Sequence, residues 1–284
     1  MSLQVPANSS LHIKGKQKME YIQVRDFSMA YEQAGEGLPL LFIHGFPLNH
    51  TLWNGQFGAL QKAARLIAPD LRGHGASQAT PGVYTMELIA DDINAFLDAL
   101  RITDKVILCG LSLGGYMSFP FYRKYAHRLA GLILTATRAS ADAPETKLNR
   151  ENQIALTRRS GVKAEIDLVL PKFLSPKTYR NRPELVQRVR QIMESTSLEG
   201  VLGDLMGMRD RPDSHPLLKD MHMPVLIIHG TDDQLIPLSE AELMRDEIPG
   251  AQLCVIPDAG HLPNLEQPDL FNQAVRQFVS QFKS

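Results

Sequence analysis

Cysteine is nearly missing from this chain of 284 residues, which has only Cys109 and Cys254. Two thiols build no disulfide framework, and each falls in an apolar stretch that reads as a buried strand, so both are expected to be inert core residues. A bias of charge is missing as well. Lys and Arg number 30 against 31 Asp and Glu, and the formal net charge of -1 offers no basic field to a nucleic acid. No apolar run approaches the roughly 20 residues that span a bilayer. The first 18 residues lack the apolar centre of a signal peptide; they carry Asn8-Ser9-Ser10 and Lys14, Lys16 and Lys18, and read as a flexible tail. These absences lead to the expectation of a cytoplasmic protein without a membrane or nucleic-acid partner. No spaced ligand set such as His-Glu-x-x-His occurs, so no metal is expected.

What is present is apolar and periodic. With 44% hydrophobic residues the chain can bury a large core, and its length suits one α/β domain with an insertion better than two equal domains. The most informative stretch runs from Val106 to Gly115, an apolar run ending in Gly110-Leu111-Ser112-Leu113-Gly114. It reads as a strand, a sharp turn and a helix with Ser112 at the apex. Small residues at positions 110 and 114 let the strand and the helix pass closely, and the turn presents the hydroxyl beside the unpaired amides of a helix N-terminus. The five-residue pattern by itself is also that of an ordinary strand-to-helix turn.

A serine hydroxyl is a poor nucleophile until a base takes its proton, and the usual base is a neutral imidazole oriented by a carboxylate. The buried-strand run Val225 to Gly230 is followed at once by Thr231-Asp232-Asp233, which puts carboxylates at a strand end. Leu253 to Pro257 is a further strand, and Asp258-Ala259-Gly260-His261 puts a histidine in the loop after it.

With His44-Gly45-Phe46-Pro47, Asp70-Leu71-Arg72-Gly73-His74-Gly75-Ala76-Ser77, the serine turn, Gly230-Thr231-Asp232-Asp233 with Pro237, and Gly260-His261 with Glu266 and Pro268, the chain resembles the α/β-hydrolase superfamily over nearly its whole length. The likeness is to the esterase, enol-lactonase and haloperoxidase-like branch. It implies a catalytic triad of Ser112, Asp233 and His261, with Asp233 preferred to Asp232 by its spacing from Gly230 and Pro237. It also implies an oxyanion hole made by the backbone N–H groups of Phe46 and Leu113. In that frame His44 braces its loop, Asp70 and His74 are structural, and Arg72 ties their turn down. His229 is a packed histidine and Trp53 a helix-packing residue.

Along the chain, Met19 to Val24 and Phe27 to Glu32 form an antiparallel pair, and Leu38 to Ile43 is a central strand. Helical and strand patterns then alternate through Thr51–Gln61, Arg65–Ala68, Met86–Leu100, Lys105–Gly110 and Leu129–Ala136. Such alternation implies the α/β-hydrolase fold, a mostly parallel sheet with helices on both faces and its ligand site at the strand C-termini. Between 138 and 222 the strand pattern stops. Pro144–Arg159, Val162–Leu170, Pro183–Ser195 and Leu198–Arg209 read as helices, so the expected organisation is a tail over 1–18, a core over 19–137 and 223–284, and a helical cap over 138–222. The cap segment holds 15 Lys and Arg against 12 Asp and Glu, a small excess that a solvated helix surface explains. Its apolar residues, among them Leu168, Phe173, Leu174, Ile192, Met193, Leu202, Leu205, Met206 and Met208, face core or pocket, and the methionines suggest a permissive apolar acyl pocket.

The resulting expectation is a cofactor-free serine hydrolase, of carboxylesterase or lactonase type, acting on a small ester or lactone through an acyl-enzyme. C–C bond hydrolases, acyltransferases and perhydrolases share the same apparatus. Small-molecule-binding signalling members retain it too, and a homo-oligomer is left open.

Overall fold

Continuous apolar runs separated by polar breaks favour strands covered on both faces. The computed structural model describes residues 19–282, and the expected tail lies outside the described residues. Among these, eight strands form one sheet: β1 (Glu20–Val24), β2 (Phe27–Ala34), β3 (Pro39–Ile43), β4 (Arg65–Pro69), β5 (Val106–Leu111), β6 (Leu129–Thr135), β7 (Val225–Gly230) and β8 (Gln252–Ile256). They lie in the order β1-β2-β4-β3-β5-β6-β7-β8. β2 pairs antiparallel with β1 and β4, and the remaining pairs are parallel. The mostly parallel sheet expected from the sequence is present, with strand limits shifted by a residue or two.

The two-residue period of each strand splits its side chains between two cores. Leu41, Ile43, Leu108 and Leu132 join helices Met86–Ala99 and Leu113–Tyr125 on one face. Leu40, Phe42, Ile107 and Ile133 join helices Asn54–Leu60 and Pro268–Ser280 on the other. Trp53 is fully buried in the second core and stacks on Phe42 with ring centroids 4.8 Å apart, so packing is its role. Cys109 is buried as expected, and burial pushes its thiol pKa up. Cys254 is only half-buried, because β8 is the last strand of the sheet and has a neighbour on one side alone.

Between β6 and β7 the chain leaves the sheet and is helical. The four expected helices are there as Pro144–Ser160, Val162–Val169, Pro183–Glu194 and Leu198–Arg209. Two short ones were not expected, Pro176–Asn181 and His215–Leu218. The first had a readable start: Ser175 caps it through its side chain, with Pro at the first helical position. The insertion shares its apolar faces with the sheet domain. Val189, Ile192 and Met193 belong to one core, and Val201, Leu205 and Met208 to the other. Helix Leu198–Arg209 lies so close to Tyr84 that a Cβ on Gly207 would stand 2.6 Å from the Tyr84 carbonyl carbon.

That contact yields a paired stability prediction. Gly207→Ala should lower stability by about 1–3 kcal/mol through overpacking. Gly58→Ala, on an exposed helical position with nothing within 4 Å of an added Cβ, should raise it by up to about 1 kcal/mol. Thermal unfolding of the two variants beside wild type decides it, and equal melting shifts would refute the close contact.

Candidate active site

At the end of β5 the backbone turns sharply. Ser112 has φ 53° and ψ −109°, a conformation that residues with side chains adopt rarely, and it opens helix Leu113–Tyr125. The surroundings hold it there: Ser112 N–H donates to Thr135 O at 2.9 Å, and its own carbonyl accepts from Tyr116 N at 3.0 Å and Thr137 Oγ1 at 2.9 Å. Crossing chains explain the flanking glycines. A Cβ on Gly110 would lie 2.5 Å from the Gly114 carbonyl carbon, and one on Gly114 would lie 2.6 Å from Ile43 O.

The second of those contacts brings in the loop after β3. Phe46 lines the same cavity as Ser112, and the backbone N–H groups of Phe46 and Leu113 have no backbone partner among the described residues. His44 braces this loop from beneath. Its Nε2 accepts from Leu71 N at 2.9 Å, which leaves Nδ1–H to donate to Gly45 O at 2.9 Å. Burial and then the nearby His74 push the His44 pKa down to about 3, so the ring stays neutral. Thr196 of the insertion donates to Pro47 O at 2.9 Å on the far side of the loop.

Asp233 follows β7 and His261 follows β8, with His261 Nδ1 2.8 Å from Asp233 Oδ2. The other oxygen, Oδ1, accepts from Leu235 N at 2.8 Å and Ile236 N at 3.0 Å. Burial favours the neutral Asp233 carboxyl, but the attraction and hydrogen bond of His261, with His229 and Ile236 N–H behind them, hold its pKa below the ordinary carboxylate value. Asp232 stands apart in the turn and accepts from Thr231 Oγ1 at 3.1 Å. The hydrogen bond formed among the three candidates is that between His261 and Asp233; Ser112 meets the imidazole across the cavity both of them line.

His50, His74, His229 and the Asp70 turn make buried contacts that brace the loops around the site. Asp70 accepts from His50 N at 2.7 Å, His50 Nδ1 at 2.6 Å and Ala76 N at 2.8 Å. Arg72 makes a two-pronged pair with Asp92, both contacts at 2.9 Å, and reaches Asp26 as well. His74 Nε2 lies 3.1 Å from Asp204 of the insertion, a buried contact that joins the two parts of the chain. His229 gives Nε2–H to Ile236 O at 2.9 Å and supports the Asp233 loop from below. Among the described residues no three His, Cys, Asp or Glu side chains converge as a metal site.

Two features lay beyond sequence reasoning. In the sequence Glu266 is no more than a motif position. Its buried carboxylate accepts from Gly260 N at 2.7 Å in the His261 loop, and from Ser175 N at 2.8 Å and Thr178 Oγ1 at 2.7 Å in the insertion. The other is the lining of the cavity, which has a volume of about 600 Å³. Met208 is the one insertion methionine lining it, and Met206 packs against the neighbouring core instead. Phe173 sets its ring edge-on to His261 at 5.3 Å, but much of the wall is polar and comes from helix Pro144–Ser160 through Thr146, Asn149, Arg150, Asn152 and Gln153. An available signal was that helix's sequence, which has no apolar stripe and buries only Ile154 and Thr157.

Comparison with known proteins agrees with the architecture. A family model described as alpha/beta hydrolase fold matches residues 39–268. The chain is 26% identical to 3-oxoadipate enol-lactonase 2 of Acinetobacter baylyi over 263 residues, covering 92% of this chain and 96% of that one. Among solved structures, a thermophilic esterase of Thermogutta terrifontis with malate bound superposes with a TM-score of 0.89 at 43% identity, covering 93% and 98% of the two chains. An enol-lactonase of Burkholderia xenovorans superposes with a TM-score of 0.85 at 28% identity, covering 92% and 100%.

Replacing Glu266 by Gln puts an NH₂ group against N–H donors, so stability should fall by about 1–3 kcal/mol. Turnover of any substrate handled by His261 should drop by up to about a hundredfold as that loop shifts, with KM little changed. Steady-state kinetics beside thermal unfolding measure both, and a loss of stability with full kcat would free the His261 loop from Glu266.

Proposed function

The chain belongs to the alpha/beta hydrolase fold family, and on that premise we propose that it is a serine hydrolase cleaving small carboxylic esters or lactones through an acyl-enzyme. The observation that carries this reading is the 2.8 Å contact of His261 Nδ1 with Asp233, set beside a serine in a strained turn on the same cavity. With Nδ1–H given to the carboxylate, Nε2 is the ring nitrogen left to act as base. Ser112 Oγ attacks the carbonyl carbon as His261 takes its proton, and the charge developing on the carbonyl oxygen is met by the N–H groups of Phe46 and Leu113. His261 then returns the proton to the departing alkoxide. Water, deprotonated in turn by His261, attacks the acyl-enzyme and frees Ser112 and the acid.

The esterases and enol-lactonases among the relatives support an ester or lactone as the bond cleaved. In this reading the helical insertion over 138–222 acts as a cap: it supplies Phe173, Met208 and the polar wall, while the reacting groups sit at strand ends. A small-molecule binder that does not turn its ligand over would keep the same residues, and activity separates the two.

Ser112→Ala should reduce hydrolysis of p-nitrophenyl acetate by something on the order of a millionfold, as in other serine triads. Asp233→Asn should cost about four orders of magnitude in kcat, because the wrong imidazole tautomer is favoured, whereas Asp232→Asn should stay close to wild type. Full activity in the Ser112 variant, or the reverse ranking of the aspartates, would overturn the assignment. Labelling of wild type by a fluorophosphonate, read by mass at Ser112, tests the nucleophile independently of substrate choice.

A further inference from the structure

The lining of the cavity is sorted by charge sign. Arg138, Arg150 and Lys172 face it, and no Asp or Glu contributes to its wall. The insertion as a whole has nearly balanced charge, so this is a property of placement rather than composition. On helix Pro144–Ser160 the charged residues include Glu145 and Glu151, yet Arg150 alone of them reaches the cavity.

The arginines are built in. Asp142, buried, accepts from Arg138 Nη2 at 2.6 Å, Arg150 Nε at 2.7 Å and Arg211 Nη1 at 2.6 Å. Arg211 is held away from the cavity: it also donates to Met208 O and Ser140 O, and it lies over the Tyr116 ring at 3.9 Å. Arg138 and Arg150 each give Asp142 one N–H and keep further donors, and Arg138 Nε is buried without a partner. Three guanidiniums surround one carboxylate. Other carboxylates nearby, Glu240, which accepts from Ser140 Oγ at 3.0 Å, and the buried Glu165 and Asp204, which attract Arg150, do not line the cavity, so its wall carries positive charge alone. Lys172 adds a third positive charge to that wall and has no ion-pair partner among the described residues.

Holding like charges together is unfavourable unless an anion completes the cluster, and a guanidinium fork fits a planar carboxylate with two parallel hydrogen bonds. We propose that the substrate carries a carboxylate away from the scissile bond, and that Arg138 and Arg150, assisted by Lys172, bind it. The proposal rests on the hydrolase reading above and assigns the substrate class: small half-esters or lactones bearing a free carboxylate. Asp142 is then a positioning residue, which fixes both forks before substrate arrives. A cavity of about 600 Å³ holds a molecule of this size together with its leaving group.

Monomethyl adipate and its uncharged isostere methyl 6-methylheptanoate, with monomethyl succinate and glutarate to vary the reach, test this on the full chain by following acid release. Wild type should favour a half-ester in kcat/KM by about ten- to a hundredfold, the usual worth of a hydrogen bond to a charged group. The difference should lie mainly in KM and shrink with added salt. Arg150→Gln and the exposed Lys172→Gln should each lower the charged-to-neutral ratio, and the pair together should bring it near one. The Lys172 variant keeps the test open if loss of Arg150 disturbs Asp142. Hydrolysis of the neutral ester as fast as every half-ester, or a ratio kept in the double variant, overturns the carboxylate site and leaves the hydrolase reading standing. No turnover of any ester together with no fluorophosphonate labelling of Ser112 overturns the hydrolase reading, and this proposal with it.

Discussion

The close crossing of three chain segments at Ser112 is the constraint on which the rest of the site depends. Gly114 can approach Gly110 and the carbonyls of Ile43 and His44 only because neither glycine has a side chain. That approach fixes strand β5, the helix starting at Leu113 and the loop holding Phe46 relative to one another. The positive φ of Ser112 is the cost, and it is carried by hydrogen bonds to Thr135, Tyr116 and Thr137. A local strain of this kind persists only where neighbouring elements are rigid, and here they are the fully buried central strands.

The helical insertion is bound into this arrangement rather than resting on it. Glu266 ties it to the His261 loop, Thr196 to the loop of Phe46, and Asp204 to His74, whose ring lies 4.9 Å from that of His44. All three ties are buried, and breaking that of Glu266 or Thr196 leaves a polar group without water or partner. Motion of the insertion as a rigid lid is therefore opposed at three places, all next to groups proposed to react. Exchange of substrate is easier through the solvent-facing side of the cavity, where Asn149, Asn152 and Lys172 are exposed.

Electrostatics divides the site into two regions. Around Ser112 the buried carboxylate of Asp233 faces His261, and the other buried histidine close by, His229, is kept neutral mainly by burial. Toward the insertion the proportions reverse, since one buried carboxylate, Asp142, serves three guanidiniums. Asp142 stays ionised there: burial opposes the charge, but Arg150 and Arg211 hold its pKa below the ordinary carboxylate value.

Much of the architecture was legible because it is written in local patterns. Period-two and continuous apolar runs marked the strands, and short motifs at strand ends marked Ser112, Asp233 and His261, which the fold brings to one end of the sheet. What the sequence could not assign was which side of a polar helix meets the cavity. Helix Pro144–Ser160 has no apolar stripe to orient it, and its placement follows from packing on helix Leu198–Arg209 and from the bond of Arg150 to Asp142, which Arg211, 69 positions from Asp142, also holds. For the same reason Glu266 showed no role by itself, since its partners Ser175 and Thr178 lie 91 and 88 positions distant. Periodicity and motif spacing report which residues share a surface within one element. Partners that far apart, and the sign of the charge that lines a cavity between elements, are decided only when the tertiary structure sets those surfaces against one another.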